Sequence, residues 1–295
     1  MKVVIGVDVA GVYHPALNLL ARMQFEGGDV TLAHAVDVVA PVPMFGIAEA
    51  AVGVDFVENM TKIGEETLQE AADAACAHKI KADTVLLNGA AGPALIEFAE
   101  RDKADIVVIH SIPKSALGSL FLGSVARSLT TGARESLLIS KGEVAPAGSL
   151  KAVFATDHSD YACRSLDKFI EFKPKGVKSV HVVSAAWMNE YEAYVAQYDL
   201  AKMSGTTEEW VEAQLRKKNL EAVEKLKAAG YEATSVVKAG TPDVAIREAM
   251  EMTKADLLIM GAQGHGFMHR LFIGSQSLHQ VVAEPWPVFI LRPQV

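Results

Sequence analysis

The stretch VVIGVDVAGVYHPAL (Val3–Leu17) returns, much altered, as AVFATDHSDYACRSL (Ala152–Leu166), with Asp8 aligned on Asp157 at an offset of 149. The same offset aligns Pro93 of GAAGPALIEFAE with Pro242 of AGTPDVAIREAM. Further on, ADIVVIHS and ADLLIMGA align Asp105 with Asp256 at 151, and Gly123-Ser124 meets Gly274-Ser275 at that same 151. Four anchors in one order, with a single two-residue slip, make an internal repeat. The chain therefore reads as two copies of one fold, domains 1–145 and 150–295. They join in KGEVAPAGS (Lys141–Ser149), whose Gly, Pro and Ser suit a linker.

Within each copy, strand-like apolar runs alternate with helix-like segments. In the second copy the strands read AVFATD, VKSVHVVS, TSVVKAG, ADLLIMG and PVFILR. Most are near-continuous apolar runs, the pattern of parallel strands covered on both faces. Between the second and third lies TEEWVEAQLRKKNLEAVEKLKAAG, where Val211, Leu215, Ala222 and Leu226 share a helical face that Lys218 interrupts; Gly230 supplies the stop. Thr207 precedes Glu208, Glu209 and Glu212, so acidic residues gather where the helix dipole favours them. The expected fold is α/β: two tandem doubly wound domains, each a five-stranded parallel sheet with flanking helices. Such sheets bind ligands beyond the carboxyl ends of their strands.

Composition sets the outer limits. Of 295 residues, 50% are hydrophobic and 22% charged, enough for a packed core. A net charge of −8 without a Lys/Arg-rich run argues against nucleic acid as a partner. Cys76 and Cys163 form no metal or redox spacing. The N-terminal apolar run meets Asp8 too soon for a secretory signal, and no apolar stretch reaches the roughly 20 residues of a membrane span. A soluble, cytoplasmic protein is expected.

The chemistry concentrates in GAQGHGFMHRLFIGSQS (Gly261–Ser277), which begins where the fourth strand of the second copy ends. Backbone N–H groups running into a helix that starts near Ser275 are a ready phosphate cradle. Gly261 and Gly264 would allow positive φ and close backbone approach, and Gly274 would clear space where the helix begins. Ser275 and Ser277 would offer hydroxyls, with Ser275 also suited to cap the helix. Alone, the two glycines read more readily as a turn followed by a Ser cap.

The whole spacing, Gly261-x2-Gly264-x9-Gly274-Ser275 with Ser277 behind it, resembles the nucleotide-binding signature of the universal stress proteins. Both copies show that family's order of elements, so the chain resembles a tandem member. Asp157 at the end of the first strand, HVV (His181–Val183) in the second, and Gly240-Thr241-Pro242 after the third strengthen the likeness. The resemblance implies a bound ATP, with AMP or another adenine nucleotide left open, and Mg²⁺ as the ion that triphosphates generally carry. It implies that Asp157 contacts the ribose or adenine, that Val183 bonds the adenine edge through its backbone, and that Ala155 lines the base pocket. Gly261, Gly264 and His265 would surround the phosphates by main chain, and Gly274, Ser275, Gln276 and Ser277 would complete the cradle. For Asp157, a cap at a strand-to-helix turn is the plainer alternative. The family pattern also implies that the two copies pair as an internal pseudo-dimer and leaves room for a homodimer of chains.

The first copy departs from the pattern. In HSIPKSALGSLFLGSVA (His110–Ala126), His110 and Pro113 replace the two glycines and Ala126 the second hydroxyl. Pro113 has no N–H to give, so this copy is expected to bind ATP poorly or not at all. No G-x-x-x-x-G-K-[ST] loop, nucleophile elbow or metal-ligand spacing occurs. His265, His269 and Arg270 read as loop residues, and no evident base for hydrolysis stands in the loop. A binding or regulatory protein with little or slow hydrolysis is therefore expected rather than an enzyme. A nucleotide-independent interaction module is the rival reading. Trp187, Tyr191, Tyr194 and Tyr198 recur at helical spacing, a stripe that packs on its own domain, covers a ligand or meets a partner.

Overall fold

In the computed structural model the described residues are 1–37, 54–111, 123–187, 207–263 and 274–293. The chain divides into two compact units. The first holds Met1–Gly148 with Val281–Pro287, and the second Ser149–Gln280 with Val288–Val295.

The first unit runs β1 (Lys2–Val7), α1 (His14–Met23), β2 (Asp29–Val36), α2 (Val54–Ala77), β3 (Ala82–Asn88), α3 (Ala91–Asp102), β4 (Ile106–Ser111), α4 (Ser124–Gly132) and β5 (Ser136–Lys141). The second runs β6 (Leu150–Ala155), α5 (Asp160–Phe172), β7 (Val177–Ala186), α6 (Thr207–Ala228), β8 (Glu232–Ala239), α7 (Pro242–Thr253), β9 (Leu257–Gly261), α8 (Ser275–Ala283) and β10 (Val288–Leu291). Strand order is β3-β2-β1-β4-β5 in the first unit and β8-β7-β6-β9-β10 in the second. Neighbouring strands run parallel. This is the doubly wound α/β fold expected of both copies.

The repeat is structural as well as textual. Asp105 Oδ2 accepts the Lys2 N–H at 2.8 Å, and Asp256 Oδ2 accepts the Lys151 N–H at 2.9 Å. Both aspartates thus tie the amino ends of adjacent central strands, which explains their place in the repeat without any ligand. Helices α3 and α7 end alike, at Lys103 and Lys254, each left-handed with φ of 55° and 49°. Their backbone N–H groups close back on the last helical carbonyls. Gly230, at φ 95°, follows α6 as the stop signal required.

The long helix corrects the sequence reading in one respect. Lys218 is exposed and does not interrupt the apolar face. The buried stripe is Asn219, Ala222 and Leu226, the counterpart of Leu68, Ala71 and Ala75 on α2. A buried asparagine, not a lysine, breaks the pattern.

The linker is held to its own unit. Asn18 Nδ2 donates to Val144 O at 2.8 Å and Arg22 Nε to Gly148 O at 3.2 Å. Trp187 is 48% exposed, while Tyr191, Tyr194 and Tyr198 lie outside the described residues. Among the described residues no helix is long and apolar enough to cross a membrane.

Candidate functional site

The winding decides where a ligand can sit. From β6 the chain leads outward to β7 and β8, then crosses back to β9 on the other side of β6. Connections from β6 and β9 therefore leave in opposite directions, opening a crevice at their carboxyl ends. There Ala155 is level with Met260 on β9 and with Val183 on β7. The loop carrying Asp157 and the segment beginning at Gly261 thus meet at one edge.

Gly261, the last residue of β9, is buried and has no left-handed φ. The expectation of a positive φ is corrected: glycine is required here by packing. A Cβ would stand 2.8 Å from Ser165 Oγ and 3.1–3.2 Å from the Tyr161 ring. Helix α5 lies against bare backbone at this point. Burial raises the Tyr161 phenol above its ordinary pKa, while Arg292 and Arg164 pull it back down. Arg292 directly follows β10, whose Leu291 is level with Gly261, so a guanidinium stands at this edge. Reading the loop alone missed it, although its place after PVFIL was the available signal.

Gly264 and His265 lie outside the described residues. Gly274 donates its N–H to Ala262 O at 2.7 Å, and its own carbonyl accepts the Leu278 N–H at 3.0 Å. Gly274 is therefore the N-cap of α8, and Ser275, expected to cap, is the first helical residue. A glycine cap brings no side-chain oxygen. The first-turn N–H groups, those of Ser275, Gln276 and Ser277, are the ones a helix cannot satisfy internally. Ser275 is exposed.

Two side chains of the expected cradle have other work. Ser277 is buried and donates its hydroxyl to Gly261 O at 2.8 Å, fastening α8 to β9 rather than offering a phosphate donor. Turned so that its nitrogen faces the carboxylate, the Gln276 amide donates to both Asp243 oxygens, at 2.6 and 3.2 Å. Gln280 Nε2 reaches the same carboxylate at 3.2 Å. Asp243 thereby joins the first turns of α7 and α8.

On the base side, Ala155 ends β6 and is half-buried. The Val183 carbonyl accepts the Thr156 N–H at 3.0 Å, so this part of its backbone is engaged in the sheet. Asp157 Oδ1 accepts the Ser159 N–H at 3.0 Å, an Asx turn leading into α5, where Ser159 Oγ caps the Ala162 N–H. The plainer reading of Asp157 is thus realised at one carboxylate oxygen. Asp8 does the same in the first unit, accepting from the Ala10 N–H at 2.8 Å.

A further group went unread in the sequence. His158 has φ 57°, and its Nε2 lies 2.7 Å from Asn219 Oδ1 and 3.1 Å from Ser184 Oγ. Burial pushes the imidazole below its usual pKa, partly countered by the Asn219 hydrogen bond. The signal was Asn219 itself, a polar residue at a stripe position.

The first unit reproduces the frame and alters the edge. Gly123 caps α4 with no side-chain bond, as Gly274 caps α8. However, where Gly261 presents bare backbone, His110 carries a ring whose Nδ1 lies 3.0 Å from Ser140 Oγ. Among the described residues of the chain no group of His, Cys, Asp and Glu is arranged to hold a metal ion.

The profile of the Universal stress protein family matches residues 1–141 and again 150–292. A universal stress protein of Thermus aquaticus is 39% identical over 82 residues, 26% of this chain and 60% of that protein. One from Methanocaldococcus jannaschii is 30% identical over 108 residues, 37% of this chain and 64% of that protein. The chain thus matches less than two thirds of the length of either relative. The crystal structure of a universal stress protein from Archaeoglobus fulgidus superposes with a TM-score of 0.70 at 20% identity, covering 99% of this chain and 98% of that one. With the profile matched twice in succession across nearly its full length, the chain belongs to the universal stress protein family, as a tandem of two such domains.

Proposed function

We propose that the second unit binds an adenine nucleotide, ATP foremost, and that the chain acts as a nucleotide-dependent regulatory protein with little or slow hydrolysis. One observation carries the reading. A glycine-capped helix begins at the carboxyl edge of a parallel sheet, after a loop with the spacing Gly261-x2-Gly264-x9-Gly274-Ser275. The uncapped N–H groups of Ser275, Gln276 and Ser277 and the positive end of the α8 dipole favour phosphate there. Arg292 adds a positive charge at the same edge. Gly264 and His265 would complete the phosphate contacts by main chain. Ala155 and Asp157 would face base and ribose, and Mg²⁺ would accompany a triphosphate.

The test begins by denaturing freshly purified protein and identifying the nucleotide released. About one ATP per chain is expected, lost in Ser275→Glu. That exposed substitution sets a carboxylate against the phosphates, while a carboxylate in a first helical turn is welcome to the fold. No released nucleotide, and no calorimetric binding of ATP with Mg²⁺, would refute the reading. The interaction module would then take its place. That rival draws on the internal bonds of Ser277 and Asp157, which hold the edge together without a ligand.

A further inference from the structure

The turn from β6 into α5 is fastened at three backbone N–H groups. The Thr156 N–H goes to Val183 O, the His158 N–H to Thr156 Oγ1 at 3.0 Å, and the Ser159 N–H to Asp157 Oδ1. At its centre His158 is left-handed, a conformation that costs a non-glycine residue unless its surroundings hold it. What holds it is a network reaching two other elements. Asn219, 1% exposed on α6, donates through Nδ2 to Val236 O at 3.0 Å, which fixes its amide and turns Oδ1 towards the imidazole. Ser184, 2% exposed on β7, donates to the same Oδ1 at 2.8 Å. Since Oδ1 is an acceptor only, the imidazole proton must sit on Nε2.

The first unit lacks this arrangement. Val9 stands at the position of His158, and Leu68, 4% exposed, at the position of Asn219. Strand register puts His34 level with Val7 on β1, and there its Nδ1 lies 2.9 Å from Val7 O. Polar groups buried this deeply cost stability unless all are paired. The second unit carries two of them, Asn219 and Ser184, beneath the half-buried His158 at one turn, in the copy whose glycine spacing is intact.

We infer that His158, Asn219 and Ser184 form a positioning network that holds the Asp157 turn in the geometry an adenine nucleoside requires. The inference rests on the proposed nucleotide reading of the same edge. These residues act through the turn and not by touching the phosphates.

Two variants test it. Asn219→Leu installs the residue the first unit tolerates at that position, and His158→Gly keeps a residue suited to positive φ while removing the ring. Calorimetry should show ATP bound at least tenfold more weakly by both. In ¹⁵N spectra of the wild-type chain the His158 ring should be the Nε2–H tautomer, a signature lost in Asn219→Leu. Unchanged ATP affinity in both variants, or a wild-type ring protonated on Nδ1 alone, overturns the inference. Should the wild-type chain bind no ATP, the nucleotide reading fails by itself. The network is then judged by amide exchange at Ser159 and Ala162: at least tenfold acceleration in both variants upholds the fastening of the turn, and unchanged rates overturn it.

Discussion

The two units spend the same frame differently, and the differences lie at one edge. At the amino ends of the strands, Asp105 and Asp256 make matching bonds to Lys2 and Lys151. At the carboxyl ends, Gly261 faces His110 across the alignment, Ser277 faces Ala126 and His158 faces Val9, while Leu68 takes the place of Asn219 in the buried stripe of the long helix. The amino-end ties belong to the frame that both units share, whereas the two copies differ at the carboxyl edge, where sheets of this kind take their ligands. The comparison extends to the helix above: Tyr161 and Ser165, which press on Gly261, align with the smaller Val12 and Ala16.

The largest effect should come from importing the first unit's residue into the second. In Gly261→His, a Cβ would lie 2.8 Å from Ser165 Oγ and 3.1 Å from the Tyr161 ring. Overpacking of this kind costs about 2–3 kcal/mol. Urea unfolding should show that loss, and Tyr161→Val with Ser165→Ala should recover at least half of it. A single variant with an unchanged unfolding midpoint would sink the packing account of Gly261.

Of comparable size is Leu68→Asn, which asks whether the first unit could accept the network piecemeal. Leu68 is 4% exposed; Val9, at the position of His158, offers an amide no partner, and the His34 ring beside α2 is already engaged through Nδ1 at Val7 O. A loss of about 2–3 kcal/mol is expected from the unpaired polar group and the apolar contacts removed. If the loss is under about 0.5 kcal/mol, a buried amide is cheap at this position. The network beneath Asp157 would then need no special account.

How much of this was legible beforehand depended on which force did the work. Continuous apolar runs gave the parallel strands, and matched anchors gave the repeat, because burial on both faces writes itself into local sequence. The cap at Gly274 in place of Ser275 was hidden by its dependence on Ala262 O, twelve residues back. Likewise Gly261 reads as a loop glycine until α5 is seen lying on it. Asn219 was one residue from the Lys218 that sequence spacing singled out, and only packing could tell which of the two faced inward. His158 acquires meaning solely through Ser184 and Asn219, 26 and 61 residues away.

A third prediction concerns the last strands. Lys141 ends β5, and its counterpart after β10 is Arg292. Lys141 is buried, donates to Glu284 O at 2.7 Å, and burial pushes its pKa down to about 7, with Glu284 pulling it partly back. Its folded-state pKa thus lies below the unfolded value, so the unfolded chain binds the extra proton between about pH 7 and 10.5. This group's penalty is complete below pH 7 and relieved as pH rises through that window, by about 1.4 kcal/mol per pH unit. Between pH 7 and 9 the wild-type chain should therefore gain stability relative to Lys141→Met. Parallel pH profiles for the two would show that Lys141 titrates normally. Arg292, which keeps its charge throughout, should contribute no such slope.

The smallest effect separates the shared frame from the divergent edge most sharply. Ser124 and Ser275 are both exposed first residues of glycine-capped helices. Glutamate at either position meets the positive end of a helix dipole, a gain of about 0.5 kcal/mol. With nucleotide removed from all samples, thermal unfolding should register similar small gains for Ser124→Glu and Ser275→Glu, declining as salt is raised. Their effects on nucleotide should nonetheless part completely, with Ser275→Glu emptying the site and Ser124→Glu leaving the released ATP unchanged. Equal loss from both would mean that the first unit also holds phosphate despite His110 and Pro113. Equal retention would place the phosphates elsewhere than the start of α8. Because both substitutions act on the same helical position with the same charge, any difference between them belongs to the edge around the helix and not to the helix itself.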